Sequence, residues 1–216
     1  MGVYSERRFM LKELTQYSAV IAAPTKFGGT ALVMDFMGGT DYSQSTIGFA
    51  YGRALGEKAG LGMQFNYNLV HIAGYGNTGN IDIELGTILH LTDKLHAGCH
   101  IYNPIKIMQS KHSNQAMPSV YSFGVGYEAS DQLLIQTIID KEENRPIIVH
   151  VSLHYALAKQ FFLRGGISTL EGFSFVGAGL IWKNLRTDVS ASWHPRLGFS
   201  PSLLLVFSFE KGESIQ

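Results

Sequence analysis

The chain has one cysteine, Cys99, and only six prolines among its 216 residues. A single cysteine permits no internal disulfide bond, so it says nothing decisive about the redox compartment. No run of about 18 apolar residues occurs, which excludes a membrane-spanning helix. No apolar segment follows Met1–Tyr4. The start of the chain is therefore not a signal peptide, which by itself argues against export.

Neither charge sign is in excess, because Lys plus Arg and Asp plus Glu each number 17. Nucleic-acid-binding proteins normally carry a basic excess or patch, so we expect no nucleic-acid partner. The glycine-rich residues 74–77 are followed by neither Lys-Ser/Thr nor a helix, so they do not form a phosphate-binding loop. No nucleotide, flavin or zinc motif occurs elsewhere, and we expect no cofactor.

Large apolar side chains recur at every second residue in many segments. In residues 61–69, Leu, Met, Phe, Tyr and Leu alternate with Gly, Gln, Asn and Asn, and residues 81–91 and 185–194 follow the same pattern. Successive side chains of a β-strand point to opposite faces, so each segment has one apolar and one polar or small face. Helices need apolar spacings of three and four instead. The pattern predicts an all-β protein in one domain, 1–216.

About thirteen strands are predicted, most of them 9–13 residues long, which is the length that a tilted strand needs to cross a bilayer. They cover residues 16–24, 29–37, 43–55, 58–71, 80–91, 94–103, 118–128, 131–140, 146–157, 159–168, 172–183, 185–194 and 199–210. Single-chain bacterial barrels normally have an even number of strands, so an odd count indicates a missing first strand or a miscount.

The predicted connections alternate in length, as expected when short turns lie at one end of an up-and-down barrel and longer loops at the other. Tight turns are predicted at 56–57, 92–93, 130–131, 158–159 and 183–184. Longer loops are predicted at 38–42, 72–79, 104–118, 141–145, 169–172 and 195–198.

The apolar face indicates a membrane protein. A barrel of thirteen strands has a wide interior, which one large apolar side chain at every second position would not fill. Those side chains fit an outward belt facing lipid, with the polar face around a lumen. Aromatic residues near strand ends, expected in interfacial girdles, are Tyr42, Tyr67, Tyr102, Tyr127, Trp193 and Phe199. The less favoured alternative is a soluble β-sandwich.

The alternation fails in three places. Residues 133–135 and 147–149 are apolar on both faces. Phe173 and Phe175 occupy odd positions, whereas Val176, Leu180 and Trp182 occupy even ones. Either a bulge near Gly177 shifts the register, or part of the lumen is apolar.

Several short motifs resemble the PorV/PorQ-type barrels of the Bacteroidota outer membrane, which are similar in fold to the fourteen-stranded FadL channels. The motifs lie at residues 8–14, 22–26, 47–53, 58–62, 92–98 and 102–104. The resemblance implies an antiparallel, up-and-down, FadL-like transmembrane β-barrel in the bacterial outer membrane, associated with type IX secretion. Family members have a signal peptide and an N-terminal plug, so we expect this chain to begin part-way through the family pattern.

Polar side chains on the predicted lumen face are the candidate site residues. Asp82 and Glu84, with Gln64, Asn66 and Asn68 on the adjacent strand, predict a polar patch, which we interpret as a brace of the wall more readily than as a solute lining. Arg164, Arg186 and Asp188 are candidates for lumen ion pairs. The complete set of lumen-lining candidates is Gln64, Asn66, Asn68, Asp82, Glu84, His96, His100, His150, His154, Arg164, Arg186 and Asp188.

The histidines are candidates for catalysis and for metal binding. His150 and Ser152 share one strand face, which is the arrangement of a lipid hydrolase. Their predicted lumen orientation and the lack of a neighbouring asparagine argue against that activity, and we expect no enzyme. His150 and His154, like His96 and His100, lie about 13 Å apart along a strand, too far for one metal ion. Cross-strand histidine pairs stay an alternative, although solvated lumen histidines are favoured.

The leading functional hypothesis is transport of small hydrophobic molecules, or service as a secretion partner that contacts secretion-system proteins or secreted cargo. The barrel contacts outer-membrane lipid in either case. The alternatives are a structural or scaffolding barrel with a blocked lumen and, less favoured, an outer-membrane lipid hydrolase.

Overall fold

The computed structural model describes residues 1–104, 118–170 and 172–209. They form one closed antiparallel barrel of fourteen strands, each hydrogen-bonded to its neighbours along the chain, with the first strand paired to the last. The strands are β1 Gly2–Arg7, β2 Thr15–Thr25, β3 Gly28–Gly38, β4 Tyr42–Leu55, β5 Ala59–Ile72, β6 Gly76–His90, β7 Leu95–Tyr102, β8 Val120–Ser130, β9 Leu133–Glu142, β10 Ile148–Ala156, β11 Phe161–Ser168, β12 Ser174–Trp182, β13 Leu185–His194 and β14 Gly198–Phe207.

Two short 3₁₀ helices, Arg8–Met10 and Lys12–Leu14, join β1 to β2. Among the residues described, no helix has the length and apolar character to span a bilayer.

The prediction of an antiparallel up-and-down barrel is confirmed, and the count of thirteen strands was one too low. The missing strand is β1, which pairs with both β2 and β14. Its six residues end in Ser5, Glu6 and Arg7, so too few apolar side chains alternate for the strand to be recognised. The odd count therefore arose because β1, which is present in the chain, was overlooked in the prediction.

The two ends of the barrel differ in their connections. At one end, which we call the turn end, the strands are joined by residues 26–27, 56–58, 91–94, 131–132, 157–160 and 183–184. At the other end, which we call the loop end, the strands are joined by residues 8–14, 39–41, 73–75, 103–119, 143–147, 169–173 and 195–197. Most of the loop predicted at 104–118 lies outside the described residues.

The loop predicted at residues 72–79 exists but is shorter than expected, because β6 already begins at Gly76. Gly74 and Gly76 have φ values of +80° and +89°, and this left-handed backbone closes a tight turn. The polar residues 76–80 have the composition of a loop, but they pair in register with residues 68–72 of β5.

Side-chain exposure is inverted relative to a soluble barrel. Phe65 and Tyr67 on β5 are 47% and 51% exposed, whereas Asn66 between them is 4% exposed. Asp82 and Asp188 are also buried, and the one buried large apolar side chain among the described residues is Phe162. Exposed apolar side chains of this number need a non-aqueous partner. The outward face therefore suits lipid, and the polar face surrounds the lumen.

Of the two alternatives for the irregular alternation near Gly177, the structure excludes the bulge. The register of β12 with β11 and β13 is continuous through Gly177, and the one shift among the described pairs lies between Glu128 and Ser130. Phe175 pairs with inward Ser192 and therefore faces the lumen itself. Leu134 pairs with inward His154 in the same way. The alternative that part of the lumen is apolar is the correct one.

Candidate functional site: the lumen

A hydrogen-bonded network on β5, β6 and β7 forms a buried polar part of the lumen. Its centre is Asp82, which accepts hydrogen bonds from Asn66 Nδ2 at 2.8 Å and Tyr102 Oη at 3.0 Å, and a further one from Asn68. Asn66, Asn68 and Asp82 are each at most 4% exposed. Burial of an ionised carboxylate requires such donors. We call the group of Asn66, Asn68, Asp82 and Tyr102, together with Gln64 and Glu84, the Asp82 network.

The network continues along the wall on both sides. Asn66 Nδ2 also donates to Glu84 Oε1 at 2.6 Å, and Gln64 Nε2 donates to Asn66 Oδ1 at 2.7 Å. Thr46 on β4 donates to Asn68 Oδ1 at 2.6 Å. Four neighbouring strands are therefore tied together by side chains as well as by their backbones.

Tyr102 corrects one of the girdle expectations. Glu84 and Tyr102 are register partners on β6 and β7, so both face inward and the tyrosine is not part of an outer aromatic belt. Tyr42 is a second correction, because it shares the inward face of β4 with Gln44, to which its hydroxyl donates. The other girdle candidates are 46–52% exposed on the outward face: Tyr67, Tyr127, Trp193 and Phe199. The sequence did not reveal the role of Tyr102, because its orientation depends on the register between two strands.

An arginine cluster lies on β11 and β13, on the wall opposite the Asp82 network in the ring of strands. Asp188 is fully buried and contacts Arg164 Nη2 at 2.8 Å and Arg186 Nη2 at 3.8 Å. Neither carboxylate oxygen of Asp188 receives a well-directed hydrogen bond, so the contact is mainly ionic. Two guanidinium groups face one carboxylate, which leaves one positive charge locally uncompensated.

Aromatic side chains pack against this cluster. The Arg186 guanidinium carbon lies 4.5 Å from the centroid of the Phe162 ring, which is a cation–π distance. The imidazole of His154 also stacks on Phe162, with 4.8 Å between ring centroids. The ring lies against Gly179, where an added Cβ would be only 2.0 Å from Phe162 Cζ. The Phe162 ring therefore fills space that is left free because residue 179 has no side chain.

Three of the lumen histidines face carboxylates. His100 Nε2 lies 2.8 Å from Glu84, His96 Nε2 lies 3.3 Å from Glu128, and His150 Nε2 lies 3.1 Å from Asp140. The sequence did not single out Glu128 and Asp140, because each lies on a strand next to that of its histidine. Their proximity depends on the register between the two strands, which the sequence does not show. His150 is thus paired with Asp140, while Ser152 has Gln136 and Gly166 as register partners.

All twelve lumen-lining candidates lie on the inward face, and the structure divides them into groups. Six belong to the Asp82 network or contact it: Gln64, Asn66, Asn68, Asp82, Glu84 and His100. Four belong to the arginine cluster: His154, Arg164, Arg186 and Asp188. His96 and His150 stand apart from both groups.

Small side chains line a cavity of about 550 Å³ in the turn-end half of the lumen. Its inward wall is formed by Ala22, Ala31, Ala50, Gly52, Gly62 and Gly86, and Gln64, Glu84 and His100 stand at its border. An added Cβ at Gly52, Gly62 or Gly86 would have no neighbour nearer than 3.7 Å. These glycines therefore leave open space, unlike Gly179.

No protein-family model and no curated protein matches the chain. Solved structures do. A CymD monoaromatic hydrocarbon channel has a TM-score of 0.69 at 11% identity, covering 98% of this chain and 88% of that one. A Pseudomonas aeruginosa FadL homologue has a TM-score of 0.56 at 11% identity, covering 91% and 78%. A KdgM porin has a TM-score of 0.53 at 11% identity, covering 97% and 98%.

These similarities establish the fold. The chain is a closed fourteen-stranded antiparallel β-barrel that is similar in fold to the FadL homologue and the hydrocarbon channel, as the family resemblance implied.

Proposed function

We propose that this barrel is a bacterial outer-membrane channel that carries small molecules, chiefly apolar ones with a polar group, through its lumen. The outward apolar belt supports a position in a bilayer, and the polar inward face supports a water-accessible lumen. The solved structures of similar fold are named as hydrocarbon channels and porins, which fits this proposal.

The cavity lined by small residues is the observation that supports small, mainly apolar substrates. Its volume of about 550 Å³ lies within the range of small-molecule sites. Such sites combine an apolar wall with a few polar groups that orient the ligand. Ala31 and Ala50 belong to the apolar wall here, while Gln64, Glu84 and His100 supply polar groups at its border.

The arrangement of the lumen along its axis supports the same substrate class. On strands β14 to β3, the loop-end half of the inward face is polar, with Ser200, Glu6, Ser18 and Asp35. The turn-end half of the same strands is apolar, with Val206, Val20, Ala22, Ala31 and Val33. A solute with both characters has a complementary surface in each half.

Filling the cavity tests the proposal. Ala50→Leu places a larger side chain in the cavity, and Ala97→Leu makes the same change on the outward face of β7. Gram-negative cells that express each variant would be tested for uptake of a radiolabelled small aromatic hydrocarbon. We expect Ala50→Leu to slow uptake several-fold and Ala97→Leu to leave it unchanged. Vector-level uptake by cells with folded wild-type barrel in the outer membrane would contradict the proposal.

Two alternatives have distinct experimental signatures. A scaffold barrel with a blocked lumen would show no conductance in a planar bilayer, whereas an open channel conducts. A lipid hydrolase would be labelled at Ser152 by a serine-directed probe. The contact between His150 and Asp140 at 3.1 Å favours a structural role for His150 over activation of Ser152.

The role as a type IX secretion partner stays a prediction from the family resemblance. Contacts with partner proteins are usually made by long loops at a barrel end, and residues 105–117 of the longest connection lie outside the described part of the chain. Recovery of secretion-system proteins with the tagged barrel from native membranes would support this role, and recovery of none would count against it.

A further inference from the structure

Two histidines face each other at the turn end of the lumen. His90 on β6 and His96 on β7 are direct register partners in the hairpin that joins these strands. Their Nδ1 atoms lie 2.8 Å apart, and their ring centroids are 4.9 Å apart with nearly perpendicular planes. The two nitrogens therefore lie within hydrogen-bonding distance of each other and within reach of a single ion placed beside them.

Glu128 determines which nitrogen of His96 carries the proton. Its Oε1 lies 3.3 Å from His96 Nε2, and an ionised carboxylate can only accept hydrogen bonds. The proton of a neutral His96 is therefore held on Nε2, which leaves its Nδ1 with a free lone pair. His90 Nδ1 must then carry the proton between the two rings.

We propose that His90 and His96 bind a divalent transition-metal ion, Cu²⁺ in preference to Zn²⁺, through their Nδ1 atoms. The ion takes the place of the shared proton, which passes through solvent from Nδ1 to Nε2 of His90, so that both histidines bind the metal as neutral imidazoles. Metal–imidazole bonds are about 2.0 Å long, so two cis ligands of a square-planar ion have nitrogens about 2.8 Å apart. Tetrahedral coordination at the same bond length requires about 3.3 Å. The separation of 2.8 Å is that of the hydrogen bond between the rings, so a small rotation of the side chains brings both nitrogens to one ion. Cu²⁺ is preferred because it binds imidazole nitrogen more tightly than Zn²⁺ does.

The contact with Glu128 completes an arrangement common at metal sites. A ligating histidine usually donates its other ring N–H to a carboxylate, which orients the ring and makes the ligand more basic. Glu128 has this position relative to His96. Its charge also attracts a cation to the site.

Space for further ligands lies on both sides of the histidine pair. His90 borders a cavity of about 430 Å³ and His96 borders one of about 330 Å³. Glycines such as Gly60 and Gly98 line these cavities, so their walls leave room for water molecules. Within the described ranges, no group of three or more His, Cys, Asp or Glu side chains is placed to hold a metal ion. Water therefore supplies the remaining ligands.

Titration of the purified, refolded barrel with Cu²⁺ tests the site. We expect one Cu²⁺ per chain with two imidazole nitrogens in the electron paramagnetic resonance spectrum. His90→Gln and His96→Gln should each weaken binding at least about tenfold, as expected for loss of one of two ligands. Glu128→Gln should weaken binding about tenfold or more while both nitrogens remain in the spectrum. His154→Gln, which removes a histidine of the arginine cluster, should leave the affinity within about twofold of wild type.

The proposal is wrong if the wild-type barrel binds no Cu²⁺, or if His90→Gln and His96→Gln bind it as tightly as wild type. A shift in electrophoretic mobility on heating shows that each variant is folded. As a second measurement, saturating Cu²⁺ should raise the unfolding temperature of wild type and not that of the double variant His90→Gln, His96→Gln. Equal stabilisation of both proteins would overturn the assignment.

Discussion

Arg186 lies over the ring of Phe162, with 4.5 Å between its guanidinium carbon and the ring centroid. The two residues belong to β13 and β11, and β12 runs between them. They meet because β12 has Gly179 at this level, where no side chain separates them. The position of an arginine in the lumen therefore depends on a glycine in a third strand.

Gly179→Ala is expected to destabilise the barrel. The new Cβ would lie 2.0 Å from Phe162 Cζ, so the ring must leave its place against Arg186 and His154. Overpacking of this kind costs about 1–3 kcal/mol. Urea unfolding of the refolded barrel measures the change. Gly62→Ala is the control, since its Cβ would have no neighbour nearer than 3.7 Å. Equal stability of the two variants would contradict the packing described.

Asp188→Asn is expected to be destabilising because it leaves Arg164 and Arg186 without a counter-ion. Breaking a buried ion pair costs about 3–5 kcal/mol. The arginine side chains are 28% and 22% exposed, so hydration lowers the expected loss to on the order of 2 kcal/mol. Asp140→Asn, at a more exposed carboxylate, should cost less. If both variants lose the same free energy of unfolding, the burial of Asp188 has no energetic importance.

Removal of the carboxylate at the centre of the Asp82 network is expected to destabilise the wall. Asp82→Ala leaves the donors of Asn66, Asn68 and Tyr102 without their acceptor. Hydrogen bonds to a charged group contribute about 1.5–3 kcal/mol each, and partial rehydration of the donors limits the total to about 3 kcal/mol. Asp35→Ala is a matched control, because the hydroxyl of Ser18 donates to that carboxylate. We expect a smaller loss for Asp35→Ala, and the reverse order would refute the bracing role.

The lumen should prefer cations. Among the described strands, eight carboxylates face inward: Glu6, Asp35, Asp82, Glu84, Glu128, Asp140, Glu142 and Asp188. The inward guanidinium groups on these strands are those of Arg164 and Arg186. An excess of negative charge concentrates cations in a narrow aqueous space.

The reversal potential in a planar bilayer with a KCl gradient measures this preference. We expect potassium selectivity for wild type and a reduced preference for Glu84→Gln. Arg53→Gln changes a charge outside the lumen and should leave the potential unchanged. Chloride selectivity of the wild-type channel would contradict the inward orientation of these carboxylates.

The sequence predicted the barrel and the inward face of most strands, because one face of each strand must be apolar in lipid. The alternation around Asn66 and the i, i+2 spacing of Arg186 and Asp188 were sufficient to predict which faces of β5 and β13 point inward. Contacts between strands were not predictable in the same way. The bond from Tyr102 to Asp82 depends on the register of β6 and β7, which alternation within one strand does not specify.

One error and one unresolved alternative have related causes. Strand β1 was missed because a short strand with polar residues at its end shows little alternation. The sequence left open whether a bulge near Gly177 or a partly apolar lumen explains the irregular alternation, because it does not show that Phe175 faces inward beside Ser192. The aromatic and aliphatic residues of the lumen are recognised only when the register shows which polar residues share their face.

The orientation of side chains along β4 is the most direct test of the account. Spin labels would be placed one at a time at residues 49–54 in a Cys99→Ser background, with the barrel in lipid vesicles. Collisions with oxygen report lipid contact, and collisions with a water-soluble nickel chelate report contact with water. The account predicts high oxygen accessibility at residues 49 and 51 and high nickel accessibility at residues 50, 52 and 54. Uniform accessibility, or the opposite alternation, would contradict it.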